Sequence, residues 1–274
     1  MSPVQTVGEV FDAIQRAKAG AADFRTNFFP AQPKLQSWID HGELFGEVRD
    51  GAAFFFRNDR DFRHFYFCAA DLPALKKNLA AVSALKTERI VTDLVGKESG
   101  NDELLTSLEA AGFRRRLKLQ RMARAGQGGA AKPDVQNAPV VFAEKPDARA
   151  VLELIESLFD PVGEQIPALH EIEEAALNRQ IFAVKRAGVL AGILFFEAQG
   201  FASAVRFWAV AKNFHAAGVG SALMRHYLGA PGGIRRFTLW VNAENQNAIQ
   251  KYEHYGYAAD GLVDHVLANE MIYS

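Results

Sequence analysis

Two stretches of this chain carry residues whose types and spacing can do chemistry. In the first, residues 208–224, an apolar strand-like run ends at Trp208, Ala209 and Val210. It leads through His215, Ala216 and Ala217 to Gly218, Val219, Gly220 and Ser221, where a helical pattern begins. Glycines at such a place let backbone come close to a bulky ligand. The N–H groups at a helix start, together with the helix dipole, suit a pyrophosphate. No lysine has the Walker spacing, which disfavours a nucleoside-triphosphate loop, and the three spaced glycines of a dinucleotide site are missing. Close packing at a helix start explains Gly218 and Gly220 equally well.

The second stretch is residues 239–257. A strand pattern ends near Val241, Asn245 is a good helix N-cap, and Ala248, Ile249 and Tyr252 fall on one helical face. A phenol at Tyr252 can be a packed ring or a proton donor, and on this stretch alone packing is the plainer reading. Upstream, Ala204, Arg206 and Trp208 alternate along a strand and share one face. A guanidinium within an apolar strand needs a partner. For Arg206 that partner is either a substrate carboxylate or a carboxylate of the protein.

Together the two stretches resemble the GNAT superfamily of N-acyltransferases. The acyl-CoA loop of that family reads Val-x-x-x-x-[Arg/Gln]-x-x-Gly-x-[Gly/Ala], and Val210, Gly218 and Gly220 meet it in register. His215 stands where Arg or Gln is usual, so a phosphate contact by its imidazolium and a plain exposed loop residue are both open. The downstream pattern, Val-x-x-x-Asn-x-x-Ala-x-x-x-Tyr-x-x-x-Gly-[Phe/Tyr], is met in full by Val241, Asn245, Ala248, Tyr252, Gly256 and Tyr257. The resemblance implies acetyl-CoA as acyl donor and no metal. It implies that backbone at Trp208, Ala209 and Val210 holds the pantetheine, that His215 and the loop from Ala216 to Ser221 face the pyrophosphate, and that Asn245 and Ala248 lie near the pantetheine arm. Tyr252 becomes the general acid that protonates the leaving sulfur. Some members carry a glutamate base on the strand, but that position here is Ala204. Glu197 on the preceding strand is the nearest acidic candidate, and a solvated strand-end carboxylate is its other reading. Arg206 is the candidate substrate-binding residue.

These residues need elements to hold them. Residues 181–186, 189–197, 202–210 and 236–241 read as strands, with helices over 218–228 and 245–255. The first half repeats the order: strands at 43–49, 52–57, 63–69 and 89–95, helices at 72–82 and 102–111. Each half closes on a Gly-aromatic pair, Gly112-Phe113 and Gly256-Tyr257, where glycine fits a helix C-cap. A Gly-, Ala- and Pro-rich linker separates the halves. The expected organisation is an α/β fold with mixed sheets, two GNAT-like domains in tandem: 1–124, a linker at 125–138, and the transferase domain at 139–274. In the first half the loop at 67–75 has no glycine, Asp71 caps the following helix where a phosphate would sit, and helix 102–111 has no tyrosine. That half is expected to be degenerate, without an acyl-CoA site. Asp264 and His265 near the last strand can line an acceptor site or sit on an exposed hairpin, the hairpin being preferred. The run Arg114–Arg121 looks basic, but Leu117 and Leu119 alternate with its charges, so a half-exposed edge strand fits better than a nucleic-acid patch.

Composition narrows the partners. The 274 residues are 49% hydrophobic and 23% charged, with a net charge of −1. That balance argues against bulk binding to nucleic acid or to an anionic membrane. Cys68 is the only cysteine, so no intrachain disulfide forms and a reducing, cytoplasmic location is expected. The seven histidines show no ligand spacing. No signal peptide and no apolar stretch of bilayer length is present. The expected acceptor is the primary amine of a small molecule. Acetylation of a protein N-terminus or lysine, and a non-catalytic CoA-binding role, are the alternatives. The sequence leaves the oligomeric state open.

Overall fold

The computed structural model describes residues 1–29, 31–82, 84–126, 139–215, 217–229 and 233–272. The elements of the first half are β1 (Ser2–Pro3), α1 (Val7–Lys18), β2 (Arg25–Thr26), α2 (Gln32–Asp40), β3 (Leu44–Arg49), β4 (Ala52–Asp59), β5 (Phe62–Ala69), α3 (Leu72–Leu79), α4 (Ala84–Thr87), β6 (Ile90–Lys97), α5 (Asp102–Ala110) and β7 (Phe113–Ala125). The second half follows with β8 (Val140–Phe142), α6 (Ala148–Glu156), α7 (Leu169–Leu177), β9 (Ile181–Arg186), β10 (Val189–Gln199), β11 (Ala202–Val210), α8 (Val219–Gly229), β12 (Arg236–Asn242), α9 (Gln246–His254) and β13 (Ala258–Asn269). The expected order of strands and helices is met in both halves. Local chemistry explains the joints. Ala187 and Gly188 both have positive φ, 49° and 78°, as a two-residue hairpin turn requires. Gly112 and Gly256, at 94° and 82°, end α5 and α9.

The chain forms two compact units, Met1–Leu119 with Gly261–Ser274, and Gln120–Asp260. These units differ in two places from the expected division into 1–124 and 139–274. The chain's last strand belongs to the first unit: Leu262 lies opposite Lys97 and the antiparallel register runs to Ala268 opposite Val91. Asn269 locks that strand end, accepting from the Ile90 amide at 3.0 Å and donating to the carbonyls of Leu85 (3.0 Å) and Glu88 (2.7 Å). Conversely, the end of β7 belongs to the second unit. Arg121 pairs with Asp260 at 2.8 Å, Arg124 donates to the Tyr255 carbonyl at 2.7 Å, and the Gly126 amide donates to Arg235 O at 2.8 Å. A Cβ on Gly126 would meet Ile234 O at 2.0 Å, so only glycine fits there. A linker's composition marks where chain is loose, not which strands share a sheet. The remainder of the linker lies outside the described residues.

In the second unit β11 pairs antiparallel with β10 along its length, and β10 with β9. One face of this sheet buries Leu194, Val205, Leu223 and Leu239 with α8 and α9; the other buries Ile193, Phe207 and Ala209 with α6 and α7. Along β11 the pairing with β10 shifts register at Arg206, a β-bulge, so Val205, Trp208 and Val210 pack with the α8–α9 face while Phe207 and Ala209 pack with the α6–α7 face, and the single face expected for Ala204, Arg206 and Trp208 is broken there.

Candidate functional site

The site is built where two parallel strands part. β11 and β12 are in register from Ala202 opposite Arg236 to Val205 opposite Leu239, and the pairing stops there. β11 continues against β10, reaching Val210 opposite Gly192. Beyond Val205 the β12 side of β11 is therefore open to a ligand that can pair with backbone. Trp208 stands in this opening, its ring 5.6 Å from that of Tyr252 and 5.8 Å from that of Tyr255.

Beside it, α8 approaches the strand end closely. A Cβ on Gly220 would meet the Trp208 ring at 3.2 Å and Val210 Cγ2 at 3.3 Å; one on Gly192 would meet Ala209 O and Val219 Cγ1, both at 2.8 Å. Gly220 therefore packs tightly against the end of β11. The same closeness brings the first amides of α8 to the end of β11. The Ala222 amide donates to Gly218 O at 3.0 Å, and among the described residues the amides of Val219, Gly220 and Ser221 find no acceptor. Gly218 has φ 71°, a conformation that favours glycine. The Ala217 amide is used on Phe214 O at 3.1 Å, so it is not one of the open donors. Ala216 lies outside the described residues. His215 Nε2 sits 3.0 Å from the Val210 carbonyl and ties the loop to the strand end.

α9 supplies the other wall. Asn245 Oδ1 accepts from the Ala248 amide at 3.0 Å and so caps the helix, which leaves the side-chain NH2 for a ligand. Ala248 packs partly buried in the core below. Tyr252 is half-buried, with its ring 6.1 Å from Tyr257 as well as against Trp208. Burial pushes its phenol up, and the Glu164 carboxylate pushes it further. Among the described residues its hydroxyl has no hydrogen-bond partner, as suits a group that serves a ligand.

Glu197 and Arg206 pair with each other at 2.6 Å, and Arg206 Nη2 also reaches Gln165 O at 3.4 Å. The protein-carboxylate reading of Arg206 is the one observed. The sequence reading missed Glu164, in the loop between α6 and α7. No spacing rule marks it, since the loop has no periodicity; only the fold brings it to Tyr252. Asp264 and His265 are not on an exposed hairpin. They are buried in β13, opposite Val95 and Leu94 in the first unit, where burial and the neighbouring Asp93 carboxylate raise the Asp264 acid well above its usual range.

The first unit repeats the geometry with a different filling. β5 and β6 are in parallel register only at Arg63 opposite Ile90 and His64 opposite Val91. Here β2 lies in the opening, with Arg25 opposite Ala69 and Thr26 opposite Cys68. Asn27 bridges the parted strands. It accepts from the Phe67 amide at 2.7 Å and donates to Thr92 Oγ1 (2.9 Å) and Asp93 O (3.0 Å). Asp71 caps α3 through the Ala74 amide at 2.7 Å. Cys68 is buried and its thiol is pushed up to about 11, so it is no nucleophile. No group of three or more metal-ligating side chains occurs among the described residues, and no described helix is long and apolar enough to cross a membrane.

Residues 149–257 match the model of the acetyltransferase (GNAT) family. No curated protein matches the chain by sequence. Among solved structures, a tandem GNAT protein from the clavulanic acid biosynthesis pathway is 13% identical, covers 97% of each chain and superposes with a TM-score of 0.61. A GCN5-related N-acetyltransferase from Sphaerobacter thermophilus is 14% identical over 80% of this chain and 76% of its own, with a TM-score of 0.58. A GNAT-family acetyltransferase from Colwellia psychrerythraea is 8% identical over 98% of both chains, with a TM-score of 0.55. Likenesses over the whole length extend the fold to the first half.

Proposed function

Since residues 149–257 match the model of the acetyltransferase (GNAT) family, we propose that the chain moves an acetyl group from acetyl-CoA to the primary amine of a small molecule, in one direct transfer at the second unit. The observation that carries this reading is the convergence on one opening of three things: the parted end of β11, the open amides of Val219, Gly220 and Ser221, and the phenol of Tyr252.

Each group has work that amide formation requires. The α8 amides bind the pyrophosphate, aided by the helix dipole. The open edge of β11 from Trp208 to Val210 pairs with the pantetheine amides, and its N–H groups stabilise the oxyanion that develops on the thioester carbonyl. Asn245 donates its free NH2 to the pantetheine arm, and His215 holds the loop against the strand end. Tyr252 gives its proton to the departing sulfur.

The first unit plays no part in donor binding on this proposal. β2 and Asn27 already occupy the opening between β5 and β6, and Asp71 takes an α3 amide while its charge repels phosphate. Asp71→Ala should therefore lower stability by about 0.5–2 kcal/mol as a lost cap, seen in chemical denaturation, and leave acetyl transfer unchanged. A large loss of turnover in the folded variant would give the first unit an active role.

The reading is tested by incubating the protein with acetyl-CoA and a panel of primary amines while following free CoA. Turnover with small amines supports it. Turnover confined to peptides would redirect it to a protein acceptor. Thermal stabilisation by acetyl-CoA with no CoA release across the panel would make the chain a CoA-binding protein without transferase activity.

A further inference from the structure

The first turn of α8 and the last turn of α9 meet across the Trp208 ring. On the α8 side Gly220 leaves room for that ring, since a Cβ there would stand 3.2 Å from the indole. On the α9 side the rings of Tyr252 and Tyr255 lie against it, the second edge-on at 80° with centroids 5.8 Å apart. From there the Tyr255 hydroxyl donates to Ser221 Oγ at 3.1 Å, a bond from the C-cap of α9 to the third residue of α8. The tyrosine is firmly placed. Its amide donates to Tyr252 O at 3.0 Å, its carbonyl accepts from Arg124 Nη1 at 2.7 Å, and Gly256, at φ 82°, turns the chain just after it.

We propose that Tyr255 is a positioning residue for the pyrophosphate of acetyl-CoA, acting through the Ser221 hydroxyl. This rests on the transferase reading above. Ser221 has two donors at the mouth of α8, its amide and its hydroxyl. A hydroxyl donates one proton and accepts through its oxygen. Because Ser221 Oγ accepts from Tyr255, its own proton is left for another group, and among the described residues no acceptor takes it. A helical serine without such a neighbour can turn its hydroxyl back onto a carbonyl of the preceding turn. The Tyr255 bond opposes that turn by holding the oxygen toward α9. The proton is then free to serve the same anion as the open amides of Val219, Gly220 and Ser221.

The order of the two hydroxyls matters. Tyr255 donates to Ser221, and Ser221 donates to a phosphate oxygen, so each bond polarises the next. The second bond ends on a charged oxygen, which makes it stronger than one between neutral groups. Neither hydroxyl brings a charge to the mouth of α8, so the gain depends on an acceptor placed within reach of Ser221 Oγ and not on anions in bulk. A bond that only braced α8 against α9 would act differently. It would set the width of the opening for the whole donor, and its loss would weaken the pantetheine end as much as the pyrophosphate end.

The test is calorimetric titration of wild type, Tyr255→Phe, Ser221→Ala and the double variant. Each is titrated with acetyl-CoA and with S-acetylpantetheine, which lacks the pyrophosphate, and thermal unfolding checks that each is folded. Tyr255→Phe keeps the ring against Trp208 and loses only the hydroxyl. It should bind acetyl-CoA about twofold to tenfold more weakly, the size of one hydrogen bond between neutral groups. Ser221→Ala should lose about tenfold to a hundredfold, the size of one hydrogen bond to a charged group. In the double variant the tyrosine should cost nothing beyond Ser221→Ala, since its effect runs through the serine. Affinity for S-acetylpantetheine should be nearly unchanged throughout. Wild-type affinity for acetyl-CoA in Tyr255→Phe, losses that add in the double variant, or equal losses for the two donors overturn the proposal. Failure of wild type to bind acetyl-CoA would instead overturn the transferase reading. If S-acetylpantetheine binds wild type too weakly to titrate, the comparison of single and double variants with acetyl-CoA decides by itself.

Discussion

Gly218→Glu will bind acetyl-CoA at least roughly 100-fold more weakly than wild type, a loss of about 2.7 kcal/mol. Two effects combine. Gly218 has φ 71°, which glycine adopts freely and glutamate does not; the strain is on the order of 1–3 kcal/mol and acts on the loop that presents the amides. The new carboxylate also sits at the entrance to the amides of Val219, Gly220 and Ser221. There it competes for the donors and repels the pyrophosphate. Gly218→Ala separates the two, because it keeps the strain and omits the charge; its affinity should fall between the others. Calorimetric titration measures all three proteins, and thermal unfolding checks that each is folded. Unchanged affinity in a folded Gly218→Glu protein would remove the pyrophosphate from this loop.

Tyr252→Phe will slow acetyl transfer by about 10²–10⁴-fold, as loss of a general acid does, and leave acetyl-CoA affinity nearly unchanged. The ring stays and keeps its contacts with Trp208 and Tyr257; only the proton is lost. Tyr252→Ala differs, since it deletes the ring. Removing a fully buried aromatic costs about 3–5 kcal/mol, and a half-buried one costs less. The pair of variants separates a chemical role from a packing role. Single-turnover kinetics are needed, because slow product release would mask a slower proton transfer in steady state. If Tyr252→Phe transfers at the wild-type rate, the tyrosine is a packed ring and water supplies the proton.

Much of this was legible in the sequence for local reasons. The hairpin at Ala187 and Gly188, the caps at Asp71 and Asn245, and the helix stops at Gly112 and Gly256 are each set by a few neighbouring residues, and each is found as expected. The face expected to be shared by Ala204, Arg206 and Trp208 is interrupted by the β-bulge at Arg206, which alternation alone does not foretell. What the sequence hid is non-local. Nothing near Gly261 tells that the last strand pairs with β6, because any strand of that pattern could join either sheet. Glu164 sits in a loop without period, and Asp264 reads as a surface residue until its strand is placed between neighbours. The filling of the first unit's opening by β2 and Asn27 was likewise invisible, since a two-residue strand carries no pattern.

A crystal structure of the intact chain grown with acetyl-CoA tests the central claim most directly. One molecule per chain is predicted, its pyrophosphate at the amides of Val219, Gly220 and Ser221, its pantetheine along β11 from Trp208 to Val210, and its thioester sulfur within reach of the Tyr252 hydroxyl. Acetyl-CoA bound along β5 in the first unit, with the opening beside β11 left empty, would contradict the account.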